Sequence, residues 1–313
     1  MQPLLLKPPI KDYIWGGTKL REQFGKESNL ERLAESWELS CHKDGRSVIA
    51  GGEFDGMTLE DFLKKHPEAI RKNCKEYTDF PILIKLIDAR ENLSVQVHPD
   101  NDYARKFEGD NGKTEMWYIV DCDEDSELIY GFKENISKEE FKTAIKENTL
   151  LEKVNRVKVH KGDVFFIEPG TLHAIGKGIL IAEIQQSSNV TYRVYDYGRV
   201  GADGKPRDLH IEKALDVTKL EPTSGKYGQP KKIELPDAEC FDLCGCEYFR
   251  AARYDVCTRF SIGCPDAFCH ILVIDGEADI SGISVKKGSS VFVPAGTDAI
   301  NIKGKCSIIL TTI

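Results

Sequence analysis

The stretch "KGDVFFIEPGTLHAI", residues 161–175, returns in outline as "KGSSVFVPAGTDAI" at residues 287–300. Each copy opens on Lys-Gly, runs through a short apolar segment and ends in a Gly-Thr turn. Gly162 and Gly170 are eight residues apart, as are Gly288 and Gly296. A short apolar run between such turns predicts a buried strand. Two copies predict two related β-units. They differ just past the turn, where the first copy has His173 and the second Ala299. Only the first unit offers an imidazole there.

Outward from these copies, most of the chain reads as short β-branched or aromatic runs between Gly, Pro, Asn and Asp turns, the pattern of a sandwich or barrel. Helices are few. "TLEDFLKKHPEAIRKN" starts with Thr58 and Asp61 at capping-box spacing. "SKEEFKTAIKENTLLEKV" has Ser137 and Glu140 as a full capping box, with Phe141, Ala144 and Ile145 on one face. "RDLHIEKALDV" is a third short candidate. The expectation is a mainly β protein of two jelly-roll-like barrels with a few short helices. Gly, Ser and Pro in "TSGKYGQPKK" mark the junction. The predicted division is a chemically equipped unit over 1–225, with helical insertions, and an unequipped one over 226–313.

A chain of 313 residues with 41% hydrophobic content has material for this much core. The net charge of -8 argues against nucleic acid or an anionic membrane as partner, but not against a small anion bound by local cations. No run approaches the roughly 18 apolar residues of a membrane span. "MQPLLLKPPIKDY" has no basic n-region and no small-residue cleavage site, so a cytoplasmic protein is expected. The ten cysteines lack the C-x-x-C pairs of a zinc ribbon and predict free thiols packed in β-structure.

In "LSVQVH" the strand period places Val95 and Val97 on one face, and Ser94, Gln96 and His98 on the other. A polar triplet facing inward is costly without partners. Glu115 opens the run "EMWYIV", and His173 follows "VFFI". A barrel can gather these strand ends at one point. Two imidazoles, a carboxylate and an amide oxygen suit a catalytic Zn²⁺. The same donors also suit iron, manganese, cobalt or nickel. Taken singly, each residue has an ordinary explanation: a turn-capping His98, a solvated Glu115, a satisfied core His173.

The blocks "QVHPD", "GKTEMWY", "PGTLHAIGKG" and "YRVYDYGR" resemble those of type I mannose-6-phosphate isomerases, in their short bacterial and archaeal form. "DYIWGG" and "AESWELSCHKDG" are also similar to that family. The blocks span residues 11–199 in family order, and the C-terminal part resembles its second, metal-free cupin. The resemblance implies a bicupin fold and one Zn²⁺ per chain. It implies Gln96, His98, Glu115 and His173 as metal ligands and Arg193 as the active-site arginine. Longer members have His and Pro flanking the lysine before the metal glutamate, where this chain has Gly112 and Thr114.

Isomerising an aldose to a ketose requires moving a proton between neighbouring carbons, stabilising an enediolate and holding the phosphate. A Lewis-acidic metal serves the second need. The candidate cations are Lys85, Lys113, Arg193 and Arg199. Lys85 lies in the apolar run "PILIKLID", either snorkelling from a strand edge or desolvated near the site. Lys113 starts on the same side of the chain as Glu115. Ile179, Ile181, Glu183 and Gln185 share one strand face, so Glu183 is either paired with a cation, Arg193 being one choice, or poised as a base. Glu183, Lys113, Lys85 and a metal-bound hydroxide are all candidates for the proton carrier. Trp15 in "IWGG" is a pocket wall or a core anchor, Ser94 a substrate contact, and Arg199 a further phosphate candidate.

The expected function is a mannose-6-phosphate isomerase, taking a phosphorylated hexose and acting as a monomer or homodimer. A non-haem iron cupin oxygenase using His98, Glu115 and His173 is one alternative. A non-catalytic sugar-binding cupin is another.

Overall fold

A computed structural model describes residues 1–201, 204–223, 225 and 227–313. The junction predicted around 223–232 therefore includes Ser224 and Lys226, which lie outside the described residues. The chain is mostly β, in three antiparallel sheets of ten, seven and five strands. No helix among the described residues is long and apolar enough to cross a membrane.

The seven-stranded sheet is the middle layer. Its central strands, Glu115–Cys122, Ile179–Gln186 and Ile82–Ala89, lie side by side. They read as nearly continuous apolar runs because both faces are buried. Ile84, Leu86, Met116, Tyr118, Ala182 and Ile184 point one way, onto Leu272, Phe292 and Ile309 of the ten-stranded sheet and onto Phe268 beside it. Ile87, Trp117, Ile119, Ile179 and Ile181 point the other way, onto Leu128 and Tyr130 of the five-stranded sheet. Lys85 and Glu183 share this second face through the same alternation. The first unit thus opens its functional interior between the seven- and five-stranded sheets. The ten-stranded sheet holds the C-terminal strands and also takes Leu4–Lys7 and Val48–Ile49 from the N-terminal part.

The repeat is geometric as well as sequential. Gly162 and Gly288 have φ of 93° and 90°, and Gly170 and Gly296 have φ of 84° and 78°. These are left-handed positions that glycine reaches without a Cβ penalty. Ile167 pairs with Glu115 in the first unit as Val293 pairs with Cys269 in the second. The Gly170 amide donates to the His98 carbonyl as the Gly296 amide donates to that of Cys264. Cys264 and Cys269 thus stand where His98 and Glu115 stand.

Those two cysteines correct the expectation of free thiols. They form a disulfide, with Cα atoms 6.0 Å apart, while the other eight are in no disulfide. The repeat geometry brings the two positions together, which the spacing of cysteines along the chain does not reveal.

The helices form where capping predicts. Leu59–Lys65 begins at Thr58, whose hydroxyl accepts from the Asp61 amide. Lys138–Lys146 carries the Ser137–Glu140 capping box and buries Phe141, Ala144 and Ile145. The third is shorter than expected, Ile211–Val217, leaving residues 207–210 outside it. Asn101–Phe107 lies in what reads as a polar loop, capped by Asp100 accepting from the Tyr103 amide at 2.9 Å. A Cβ on Gly112 would fall 2.4 Å from the Asn101 nitrogen, so the start of this helix admits only glycine at that position.

Candidate metal centre

Each donor is delivered by a strand end. Gln96 is the cross-strand partner of His173 on one side and of Arg193 on the other. Glu115 opens its strand in the facing sheet, and His98 follows the Val95–Val97 strand. Donor atoms of His98, Glu115 and His173 all lie within 4.8 Å of one another, and all three residues are buried. The two Nε2 atoms are 3.2 Å apart. Glu115 places Oε2 3.7 Å from the Nε2 of His98 and Oε1 3.5 Å from that of His173. The Gln96 amide lies 3.4 Å from the Nε2 of His173.

The far nitrogens set the tautomers. Nδ1 of His98 lies 2.8 Å from the Val190 carbonyl oxygen, and Nδ1 of His173 lies 2.8 Å from that of Thr171. A carbonyl only accepts, so each ring donates from Nδ1 and turns its Nε2 lone pair inward. Burial, then the Lys113 ammonium, holds His98 far below the usual imidazole range. Burial holds His173 down at about 4. Both rings are neutral. The Glu115 carboxylate is buried, and its Oε1 has no hydrogen-bond partner among the described residues. Lys113 forms an ion pair with it, Nζ to Oε2 2.8 Å. Inward lone pairs and a buried carboxylate with one unmet oxygen fit a divalent cation, and Gln96 can turn its amide oxygen to the same point.

The cluster sits beside a cavity of about 270 Å³. Gln96 and Lys113, the ion-pair partner of Glu115, line it. Trp15, Ser94, Lys85, Glu183 and Arg193 also line the cavity, so most of the side chains singled out in the sequence converge here. Arg199 is not among its lining residues; its guanidinium donates to the Asn92 carbonyl and to Asp196, and lies 5.3 Å from the Tyr197 ring. A larger cleft, about 820 Å³ between Val164–Glu168 and Asp242–Cys246, contains no cluster residue.

Lys85 is buried, not snorkelling, and its Nζ lies 3.0 Å from Glu183 Oε1. Lys113 lies 3.8 Å from the same oxygen, and the Trp117 indole donates to Oε2 at 3.1 Å. Burial pushes the Glu183 carboxyl upward, but Lys113 and Lys85 together outweigh it and hold the group well below the carboxylate range. Its ion-pair partners are these lysines, and Arg193 is not among them. For Glu115 burial prevails and raises the pKa.

Sequence reasoning passed over Tyr13, Glu35, Asn189, Thr191 and Arg207, which also line the cavity. Glu35 accepts from the Trp37 indole at 2.7 Å and lies 3.9 Å from Lys85. Burial, then Glu35, pushes the Tyr13 phenol up to about 12, so it remains a donor. Glu35 and Trp37 lie two apart in "ESWEL", on one strand face, a signal that strand alternation offers.

The model of "Phosphomannose isomerase type I, catalytic domain" matches residues 4–150, and that of "Mannose-6-phosphate isomerase, cupin domain" matches residues 241–313. The chain is 40% identical to the probable mannose-6-phosphate isomerase GmuF of Bacillus subtilis, over 99% of this chain and 98% of that protein. It is 39% identical to mannose-6-phosphate isomerase ManA of the same organism, with the same coverage. The crystal structure of the mannose 6-phosphate isomerase from Bacillus subtilis superposes with a TM-score of 0.94, at 36% identity and 100% coverage of both chains.

Proposed function

The chain belongs to the type I phosphomannose isomerase family, and on that premise we propose that Gln96, His98, Glu115 and His173 hold a zinc ion beside the sugar-phosphate cavity. Its reaction is the aldose–ketose interconversion of D-mannose 6-phosphate and D-fructose 6-phosphate through an enediolate. The iron-oxygenase and non-catalytic readings find no support in that membership.

The observation that carries the metal assignment is the pair of neutral imidazoles turned inward on a buried carboxylate, with all three sets of donor atoms within 4.8 Å of one another. Two imidazoles with oxygen donors suit zinc, the ion that the family resemblance implies. When bound, the ion supplies a Lewis acid that draws charge from the sugar's carbonyl oxygen as the neighbouring carbon loses its proton.

The chain's own residues do the rest. Glu183, ionised between Lys85 and Lys113, faces the cavity and is the carboxylate that moves the proton. Lys113 spans Glu183 and Glu115 and stabilises oxyanion charge developing between them. Trp15, stacked on Tyr13 with centroids 5.4 Å apart, forms an apolar wall that excludes water. Ser94 accepts from the Arg193 Nε at 3.2 Å and aims that guanidinium at the substrate. Residues 1–225 form the catalytic unit and 226–313 the metal-free one, acting as a cytoplasmic monomer or homodimer.

The test is a coupled assay for fructose 6-phosphate on metal-stripped protein, repeated after adding zinc. Loss on stripping and recovery with zinc is expected. Undiminished turnover by stripped protein, or recovery with iron alone coupled to oxygen uptake, overturns the zinc assignment.

A further inference from the structure

The metal cluster, Glu183 and the two lysines account for the inner end of the cavity. Two guanidiniums, those of Arg193 and Arg207, line the same cavity and serve none of those groups. Each is held by one edge. Arg193 donates from Nε to the Ser94 hydroxyl and from Nη1 to the Asp208 carbonyl at 3.0 Å. Arg207 donates from Nε to Asp196 Oδ2 at 2.7 Å and from Nη2 to Oδ1. Among the described residues, Nη2 of Arg193 and Nη1 of Arg207 have no hydrogen-bond partner.

Like charges sharing a cavity wall are unfavourable unless an anion joins them. Asp196 does not neutralise both arginines, because Arg199 and Arg207 already share it. After burial, the charge of Arg207 is the next largest influence lowering the pKa of Arg193, as expected of close neighbours.

The backbone sets this arrangement. Residues 207–210 precede the Ile211–Val217 helix and dock on the Tyr192–Tyr195 strand. The His210 amide donates to the Arg193 carbonyl at 2.8 Å, and the Arg193 amide donates to His210 Nδ1 at 3.2 Å. Asp208 and His210 are thereby tied to Arg193, and Arg207, next to Asp208, lines the same cavity wall. Laterally, His173, Gln96 and Arg193 lie on adjacent strands. Two strand spacings, about 10 Å, separate the backbone of His173 from that of Arg193, with Gln96 between them. A hexose 6-phosphate carries its anion at the end of the chain opposite C1 and C2, so its anchor must be displaced from the metal in this way.

We propose that Arg207, braced by Asp196, anchors the substrate's phosphate together with Arg193. Arg199 acts as a positioning residue through its hold on Asp196. Guanidinium suits the task because its flat fork matches phosphate oxygens while one edge stays bound to a carboxylate. The inference rests on the isomerase reading and deepens it.

The test combines Arg207→Gln and Arg207→Lys with two readouts. One is the steady-state kinetics of mannose 6-phosphate isomerisation. The other is the affinity for inorganic phosphate by calorimetry, which does not depend on turnover. Arg207→Gln is expected to raise both KM and the phosphate Kd by roughly 10- to 100-fold, with metal content unchanged and kcat lowered less. Arg207→Lys keeps the charge, recovers part of both losses, and stands in if the glutamine variant fails to fold. Arg199→Gln is expected to weaken phosphate binding less than Arg207→Gln. Phosphate affinity and KM unchanged in a folded Arg207→Gln protein overturn the anchor. A wild type that binds phosphate through Arg207 but does not isomerise mannose 6-phosphate overturns the isomerase reading and leaves the anchor standing.

Discussion

The Nε2 atoms of His98 and His173 lie 3.2 Å apart, although both rings are neutral and both keep their proton on Nδ1. Two lone pairs facing each other at that distance repel; the Lys113 ammonium, 3.2 Å from the His98 Nε2, meets one of them, and a cation between the rings would meet both.

The purified protein is therefore expected to carry about one divalent ion per chain. His173→Ala should lose the metal and the turnover together. Chelation of the wild type should also lower its melting temperature, because the ion relieves repulsion among buried donors. Elemental analysis and a thermal melt with and without chelator check this. Identical melting of stripped and loaded protein would mean that these donors are not built around a cation.

Glu183 and Lys85 form a fully buried pair, 3.0 Å apart. Glu183→Gln leaves Lys85 with Glu35, at 3.9 Å, as its ion-pair partner among the described residues. Stability is expected to fall by about 3–5 kcal/mol, as when one partner of a buried pair is removed. The double variant Lys85→Met with Glu183→Leu should regain part of that stability and none of the activity. Denaturant melts and kinetics on the same proteins separate the two roles. A Glu183→Gln protein that keeps wild-type turnover removes Glu183 from proton transfer.

Much of this site is legible in the sequence because strand periodicity fixes directions. Ser94, Gln96 and His98 are two apart and share a face whatever the register, and Ile181 and Glu183 do likewise. The eight-residue glycine spacing announces the second unit because only glycine reaches φ near 90° cheaply at both turns. Arg207 escapes notice because its role depends on an extended segment ahead of a helix, and helical periodicity does not mark where that helix starts. The Glu183 partner is hidden for a different reason. Cross-strand register places Glu183 opposite Lys85, and a neighbour of that kind is set by sheet order rather than by distance along the chain.

Cys264 and Cys269 cross-link the two positions that hold His98 and Glu115 in the first unit. Denatured protein without reductant is expected to show eight reactive thiols of its ten cysteines, and all ten after reduction. Cys264→Ser with Cys269→Ser should cost about 2 kcal/mol, the amount expected for closing so short a loop. Ten thiols before reduction would show the bond to be absent.

His270 gives the clearest expectation for pH. It is fully buried, and its Nε2 lies 2.8 Å from the Ser290 hydroxyl oxygen. Ser290 in turn donates to the Glu38 carbonyl at 2.7 Å, so the Nε2–H of His270 is the donor to Ser290. Nδ1 has no partner among the described residues. Protonation would put a charge and an unmet donor on Nδ1, and burial, then the nearby Lys26 ammonium, holds the pKa down at about 3. The unfolded chain, with a histidine pKa of about 6.5, binds an extra proton between those values. The stability His270 confers is thus complete above about pH 6.5 and is lost as pH falls toward 3, with a slope of up to about 1.4 kcal/mol per pH unit. Glu38, whose pKa is raised by burial despite Lys26, contributes the opposite slope. It is present in both proteins when wild type is compared with His270→Gln, whose amide can still donate to Ser290. The difference between their stabilities, from denaturant melts at several pH values, should shrink steadily below pH 6.5. A constant difference from pH 7 to 4 would show that His270 takes up its proton in the folded protein as readily as in the unfolded one.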